Sequence, residues 1–135
     1  MPDSKPLSVT GFDHLSLTCR HIAATKRFYE TVLGFRVSAE MPQWGMTEMR
    51  AGDAHIVLVD AQSKEGSWAA SPQGRGENVH HFCLRLAQFD EGDLRRRLKD
   101  AKIEIEEESM EDEEGAFYVR DPEGNYVELR GVYAK

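Results

Sequence analysis

Hydrophobic and polar residues alternate along eight short segments of the chain, and two longer segments have helical spacing instead. Alternation predicts strands at residues 12–18, 35–39, 47–50, 54–60, 79–85, 103–105, 116–120 and 125–130. Apolar residues spaced three and four apart predict helices at residues 22–33 and about 92–101. The element order β-α-β-β-β therefore occurs twice.

The two halves also resemble each other in residue type. His14-Leu15-Ser16-Leu17 aligns with His81-Phe82-Cys83-Leu84 at an offset of 67 residues, and each copy has a histidine at the same point of its first strand. An internal repeat of this length indicates two related structural units. We therefore predict an α+β fold made of two paired β-α-β-β-β modules.

The alternating pattern stops between the two copies. Residues 61–78 are rich in Gly, Ser and Pro, which predicts a linker or a functional flap. Trp68 is the one residue of this segment that suggests packing over a site. The predicted modules are then residues 9–60 and 79–135, preceded by a disordered lead-in at residues 1–8.

The last two strands are joined by Asp121-Pro122-Glu123-Gly124, whose residue types favour a tight turn. On the strands around this turn, alternation places Tyr118, Arg120 and Glu128 on polar faces, opposite the aliphatic residues. A carboxylate and a phenol are thus predicted to lie close together on one side of the sheet.

Three residues are candidate metal ligands: His14, His81 and Glu128. The repeat selects His81 rather than the adjacent His80, because His81 aligns with His14. Two neutral imidazoles and one carboxylate leave coordination positions open, as a catalytic metal site requires. Each residue alone is more often an ordinary strand residue, so the prediction depends on all three occurring together.

Composition limits the classes of function. A hydrophobic content of 40% and a charged content of 30% are typical of a soluble domain, and no apolar run is long enough to cross a membrane. The net charge of −7 is concentrated in residues 104–114, and no basic stripe for nucleic acid is present. Two cysteines and no apparent export signal predict free thiols in the cytoplasm.

The paired modules, the segment from Phe28 to Phe35 and the segment from Tyr118 to Glu128 resemble the vicinal oxygen chelate superfamily. This superfamily includes glyoxalase I, bleomycin-resistance proteins, fosfomycin-resistance thiol transferases, methylmalonyl-CoA epimerase and extradiol dioxygenases. The resemblance covers about residues 9–132. It implies a curved mixed sheet that closes around a divalent metal, which holds two neighbouring oxygens of the substrate.

Carried over by position, His14, His81 and Glu128 match the metal ligands of the superfamily. The metal would be iron, manganese, nickel, cobalt or zinc. The glyoxalase and epimerase branches place Glu or Gln on the fourth strand, where this chain has Val57. A fourth ligand is therefore absent, or it is His55, two residues away on the same face, with Glu48 on the neighbouring strand.

Tyr118 lies ten residues before Glu128, where dioxygenases have a tyrosine that orients the substrate. The segment Ser109-Met110-Glu111, however, replaces their catalytic histidine. The dioxygenase branch thus matches in only one of its two features.

The resemblance implies a divalent-metal-dependent enzyme, glyoxalase-like or related, that acts on a small molecule with adjacent oxygens. Glu128 would move a proton, with Tyr118 as hydrogen-bond donor. The expected substrate pocket comprises His55, Arg120, Trp68 and Cys83.

Two alternatives remain open at this point: a metal-free drug-binding protein, and an extradiol dioxygenase or thiol transferase. Modules of this type pair edge to edge within a chain or between two chains. We therefore expect a homodimer in which each site draws His14 and Glu128 from different chains, and we expect no nucleic-acid or membrane partner.

Overall fold

The structure, a computed structural model, describes residues 12–69 and 81–134. The first half contains β1 (Leu15–Cys19), α1 (Ile22–Thr31), β2 (Arg36–Met41), β3 (Met46–Ala51) and β4 (Ala54–Asp60). The second half contains β5 (Phe82–Arg85), α2 (Glu91–Asp100), β6 (Glu107–Met110), β7 (Glu114–Arg120) and β8 (Tyr126–Val132). Short 3₁₀ turns occur at Pro42–Trp44 and Ser67–Ala69.

Each half forms its own mixed sheet of four strands. The strand orders are β1-β4-β3-β2 and β5-β8-β7-β6. In each sheet the first strand of the module pairs in parallel with the last, and the other neighbours are antiparallel. The predicted α+β fold with two β-α-β-β-β modules is confirmed.

The prediction of a strand at residues 103–105 is wrong. The third-last strand is Glu107–Met110, and residues 103–105 form an extended connection after α2. Ile103 and Ile105 pack against the core without belonging to a strand, which explains their alternating pattern. The N-terminal lead-in and the second part of the predicted linker, residues 70–78, lie outside the described residues.

One hydrophobic core joins the two modules. Its largest buried side chains include Tyr29 of α1, Met49 of β3, Phe117 of β7 and Phe89, which precedes α2. Leu17 of β1 and Leu129 of β8 belong to this core. Neighbouring residues of a strand point to opposite faces of the sheet. The faces that carry Ser16 in the first sheet and Glu128 in the second therefore point away from the shared core.

The turn between β7 and β8 fastens the second module to helix α1 of the first. The Tyr29 hydroxyl donates a hydrogen bond to Asp121 Oδ2 at 2.8 Å. The Glu123 carboxylate accepts hydrogen bonds from the backbone N–H of Arg20 at 2.7 Å and of His21 at 2.5 Å, and from Thr25 Oγ1 at 3.0 Å. The predicted turn thus also connects the modules.

Candidate metal centre

The second module brings three of the predicted site residues together. His81 lies immediately before β5, and its Nε2 is 3.2 Å from Glu128 Oε1 on β8. Tyr118 on β7 is the register partner of Glu128, and its ring centroid is 5.6 Å from that of His81. Glu128 is only 5% exposed, so its charge depends on these neighbours.

Hydrogen bonds determine the protonation state of Glu128. Burial alone would raise its pKa, but hydrogen bonds from Arg130 and Tyr118 outweigh burial and hold the pKa below its usual value. Arg130 Nε is 2.6 Å from Glu128 Oε2. Burial and the bond to Glu128 raise the pKa of Tyr118. At neutral pH the cluster therefore contains a carboxylate anion and a protonated phenol.

The first module holds a second cluster around His14 and His55. His14 Nδ1 is 2.8 Å from Asp13 Oδ1, and His55 Nε2 is 2.7 Å from Glu48 Oε1. The two imidazole centroids are 5.4 Å apart. Potential ligand atoms of Asp13, His14 and His55 lie within 4.8 Å of one another, and within residues 12–69 and 81–134 no other group of three His, Cys, Asp or Glu does so.

Within the chain, His14 lies in one cluster, and His81 and Glu128 lie in the other. Both clusters fit a divalent metal by donor chemistry, because each offers imidazole nitrogen and carboxylate oxygen. The three predicted ligands therefore form two partial sites.

Of the other expected pocket residues, Cys83 lies beside Glu128, whereas Trp68 and Arg120 lie elsewhere. Trp68 is 63% exposed in the Ser67–Ala69 turn. Cys83 is an exposed residue and the register partner of Glu128; partial burial of its thiol and the neighbouring Glu128 carboxylate raise the pKa of Cys83. The Arg120 guanidinium lies 4.1 Å from the Tyr126 ring centroid and donates to Gly124 O at 3.1 Å. Arg120 also lines a cavity of about 490 Å³ between α1 and the α2–β6 connection, which includes neither the histidines nor Glu128.

Sequence reasoning did not predict that Asp13, Glu48 and Arg130 contact His14, His55 and Glu128, respectively. The register of the β3–β4 hairpin could have revealed the contact between Glu48 and His55. The β3–β4 hairpin pairs Arg50 with His55 and Glu48 with Val57, so Glu48 and His55 are diagonal neighbours on one face. Arg130 is two residues after Glu128 on the same strand face, within reach of its carboxylate.

The architecture is that of an α+β protein built from two β-α-β-β-β modules. The sequence profile of the Glyoxalase/Bleomycin resistance protein/Dioxygenase superfamily matches residues 11–129. The chain belongs to this superfamily, which confirms the resemblance noted in the sequence. The sequence matches no curated protein significantly.

Solved structures share this fold. A virulence protein from Salmonella typhimurium is 28% identical with a TM-score of 0.69, covering 95% of this chain and 100% of that chain. A lactoylglutathione lyase from Agrobacterium tumefaciens is 23% identical with a TM-score of 0.64, covering 97% and 96%. A fosfomycin resistance protein from Listeria monocytogenes is 16% identical with a TM-score of 0.72, covering 93% of each chain. Identities as low as those of the last two show the fold alone.

None of the helices in the described part of the chain is long and apolar enough to span a membrane.

Proposed function

We propose that the protein is a divalent-metal-dependent enzyme, a glyoxalase-like lyase or isomerase or a related enzyme, acting on a small molecule with adjacent oxygens. The observation that carries this proposal is the contact between His81 Nε2 and Glu128 Oε1 at 3.2 Å, with Tyr118 beside the same carboxylate. An imidazole and a nearly buried anionic carboxylate on an outer strand face are suitable ligands for such a metal.

In this proposal His14, His81 and Glu128 hold the metal, which would be iron, manganese, nickel, cobalt or zinc. When bound, the metal supplies Lewis acidity to the adjacent substrate oxygens. Arg130 orients Glu128 through its 2.6 Å contact. Glu128 accepts a proton, and Tyr118, whose raised pKa keeps it protonated, turns its hydroxyl from Glu128 to donate a hydrogen bond to a substrate oxygen.

We further propose that the site is completed in a homodimer, with His14 of one copy beside His81 and Glu128 of the other. Two observations support this arrangement. His14 lies apart from the His81–Glu128 pair within the chain. In the described part of the chain, β1 and β5 each pair with a single strand, so each has an edge that can pair with a second chain.

Metal analysis of protein purified without chelator tests this function. We expect one divalent ion per site, lost in His81→Ala and retained in the control His21→Gln, whose imidazole is on the surface beside α1. Activity would then be measured on hemithioacetals, on fosfomycin with thiols, and on catechols. The proposal fails if the purified protein contains no stoichiometric metal and His81→Ala changes neither metal content nor stability. A stable monomer in sedimentation would overturn the homodimer.

One observation favours a second candidate, a metal-free protein that binds a small molecule or drug. Glu128 already has His81, Arg130 and Tyr118 as partners, so its carboxylate is satisfied without any ion. In that case, the purified protein would bind a ligand in calorimetry while containing no metal. For either function we propose a cytoplasmic location, supported by the two free cysteines, Cys19 and Cys83.

A further inference from the structure

We propose that the protein has a second binding site, in the cavity between α1 and the α2–β6 connection, which takes a small organic acid with an apolar body. The cavity has a volume of about 490 Å³. Pockets for drug-sized ligands have volumes of about 300–1,000 Å³ and combine mainly apolar walls with a few polar groups. The cavity is lined by neither His14, His81 nor Glu128, so this site is separate from the proposed metal centre.

One wall of the cavity is apolar and is fixed by the core of the protein. Phe28 of α1 lines the cavity and is only 6% exposed. Val32, at the end of the same helix, and Ile103, after α2, also line it, and both are half-buried against the core. Because these side chains are already held in place, the wall exists without a ligand, and a ligand that covers it removes apolar surface from water.

Two cations on the rim of the cavity are not neutralised by the protein. Arg27 of α1 and Lys102 after α2 line the cavity, and both are exposed. Neither side chain has a hydrogen bond or ion pair within residues 12–69 and 81–134. Arg120 differs, because its Nε is 3.4 Å from Glu106 Oε2 and its charge is already paired. Arg27 and Lys102 are therefore the groups that can receive the charge of an anionic ligand.

The carboxylates of the cavity do not cancel these two positive charges. Asp121 is 4% exposed, and its oxygens accept four hydrogen bonds from α1 and from its own turn. Glu106 is paired as described above, whereas Glu104 is exposed on the rim. The charges that remain available to a ligand are two positive and one negative. The rim therefore favours a ligand with one negative charge.

The backbone of Lys102 is a second, independent observation. Its φ of 61° makes it the one non-glycine residue with a left-handed backbone in the described part of the chain. It follows the C-cap of α2, where glycine is the usual residue because it has no Cβ to strain. The dipole of α2 favours a basic residue there, but Arg27 is not in the last turn of α1, so a dipole does not explain both cations. A role on the rim of the cavity explains both.

A matched pair of fluorescent dyes tests the site in the full-length protein. Anilinonaphthalene sulfonate has an apolar ring system and one negative charge, and phenylnaphthylamine has the same rings without the sulfonate. We expect Lys102→Gly and Arg27→Gln each to weaken binding of the anionic dye by about two- to fivefold, the range for one exposed charge pair. Both variants should keep the wild-type affinity for the neutral dye. Decanoate, an organic acid with an apolar chain, should displace the anionic dye.

Three features of the variants control for other causes. Arg36→Gln removes an exposed positive charge from β2, outside the cavity, and should bind both dyes as the wild type does. Glu104→Gln removes the negative charge of the rim and should tighten binding of the anionic dye. Lys102→Gly should melt at least as high as the wild type, because glycine fits the left-handed backbone, so its weaker binding cannot come from unfolding.

Several results would overturn the second site. The charges of the rim do not bind the ligand if Lys102→Gly and Arg27→Gln change the affinities for both dyes equally or change neither. The same conclusion follows if Glu104→Gln weakens binding of the anionic dye, and failure of decanoate to displace this dye excludes the organic acid. If His81→Ala abolishes dye binding and the cavity variants do not, the dye binds at the candidate metal centre. That result removes the second site and leaves the proposed function standing.

Discussion

Glu123 is expected to contribute much of the stability that couples the two modules, because it caps a helix of the module to which it does not belong. Helix α1 has no side-chain hydrogen bond at its N-cap residue, His21, and no acidic residue in its first turn. Glu123 supplies what is missing, with hydrogen bonds to Arg20 N, His21 N and Thr25 Oγ1 at 2.7, 2.5 and 3.0 Å. Its carboxylate takes the role that an internal Glu has in a capping box.

The substitution Glu123→Ala would remove three contributions to the free energy of unfolding. The carboxylate interacts with the helix dipole, worth about 0.3–1 kcal/mol, and a typical N-cap is worth about 1 kcal/mol. Thr25 is 0% exposed, so its hydroxyl would become a buried group without this partner, at about 1–3 kcal/mol. Since these terms overlap, we expect a loss of about 2–3 kcal/mol in the free energy of unfolding.

Urea denaturation followed by circular dichroism measures this loss, and a domain of this size should melt roughly 6–12 °C lower. Glu123→Gln keeps one acceptor oxygen and should lose about half as much. Glu30→Gln is the matched control, because it removes one negative charge from an exposed position on α1 itself. A Glu123→Ala protein within about 0.5 kcal/mol of wild type, the usual range for a surface substitution, would refute the capping argument.

Two further predictions concern buried positions. Burial raises the pKa of Cys19 in the folded protein to about 12. In the unfolded chain the thiol has a pKa of ~8.5, so it loses its proton there at lower pH. The free energy of unfolding therefore falls as pH rises above about 8.5. In urea denaturation between pH 9 and 11, the free energy of unfolding of the wild type should fall by about 1.4 kcal/mol per pH unit more than that of Cys19→Ala. If the free energies of the two proteins fall in parallel with pH, the prediction is wrong. A Cβ at Gly66 would lie 2.1 Å from Asp60 O, so Gly66→Ala should cost about 1–3 kcal/mol in the free energy of unfolding. Gly92→Ala in α2, whose nearest atom is 3.9 Å away, should be neutral or stabilising in the same assay, and equal losses would contradict the steric argument.

The sequence pattern predicted most of the fold because alternation follows burial, and burial follows the strand pleat. The same reason explains the misplaced strand. Ile103 and Ile105 are half-buried against the core, but backbone pairing with β7 begins only near Glu106, whose N–H donates to Tyr118 O at 2.8 Å. Alternation reports which side chains face the core and not which backbone groups pair.

The sequence predicted those parts of the candidate site that lie within one module. Tyr118 and Glu128 are opposite each other across a hairpin, and the internal repeat identified His81. The location of His14 relative to these residues depends on how the two modules pack, which strand patterns do not encode. The Glu48–His55 contact depends on hairpin register, and the tight turn at residues 51–54 made that register accessible in principle.

Stability and metal binding are expected to separate in this fold. Glu123 contacts Arg20 and His21, directly after β1, but β1 itself is held by five register pairs with β4, from Leu15 and Ile56 to Cys19 and Asp60. Loss of the cap should therefore loosen α1 without moving His14 or His55. We expect Glu123→Ala to melt at a lower temperature while keeping the divalent-metal content of the wild type. If Glu123→Ala also loses its metal, the turn of the second module positions the histidines of the first, and the modules act as one unit in metal binding as well as in folding.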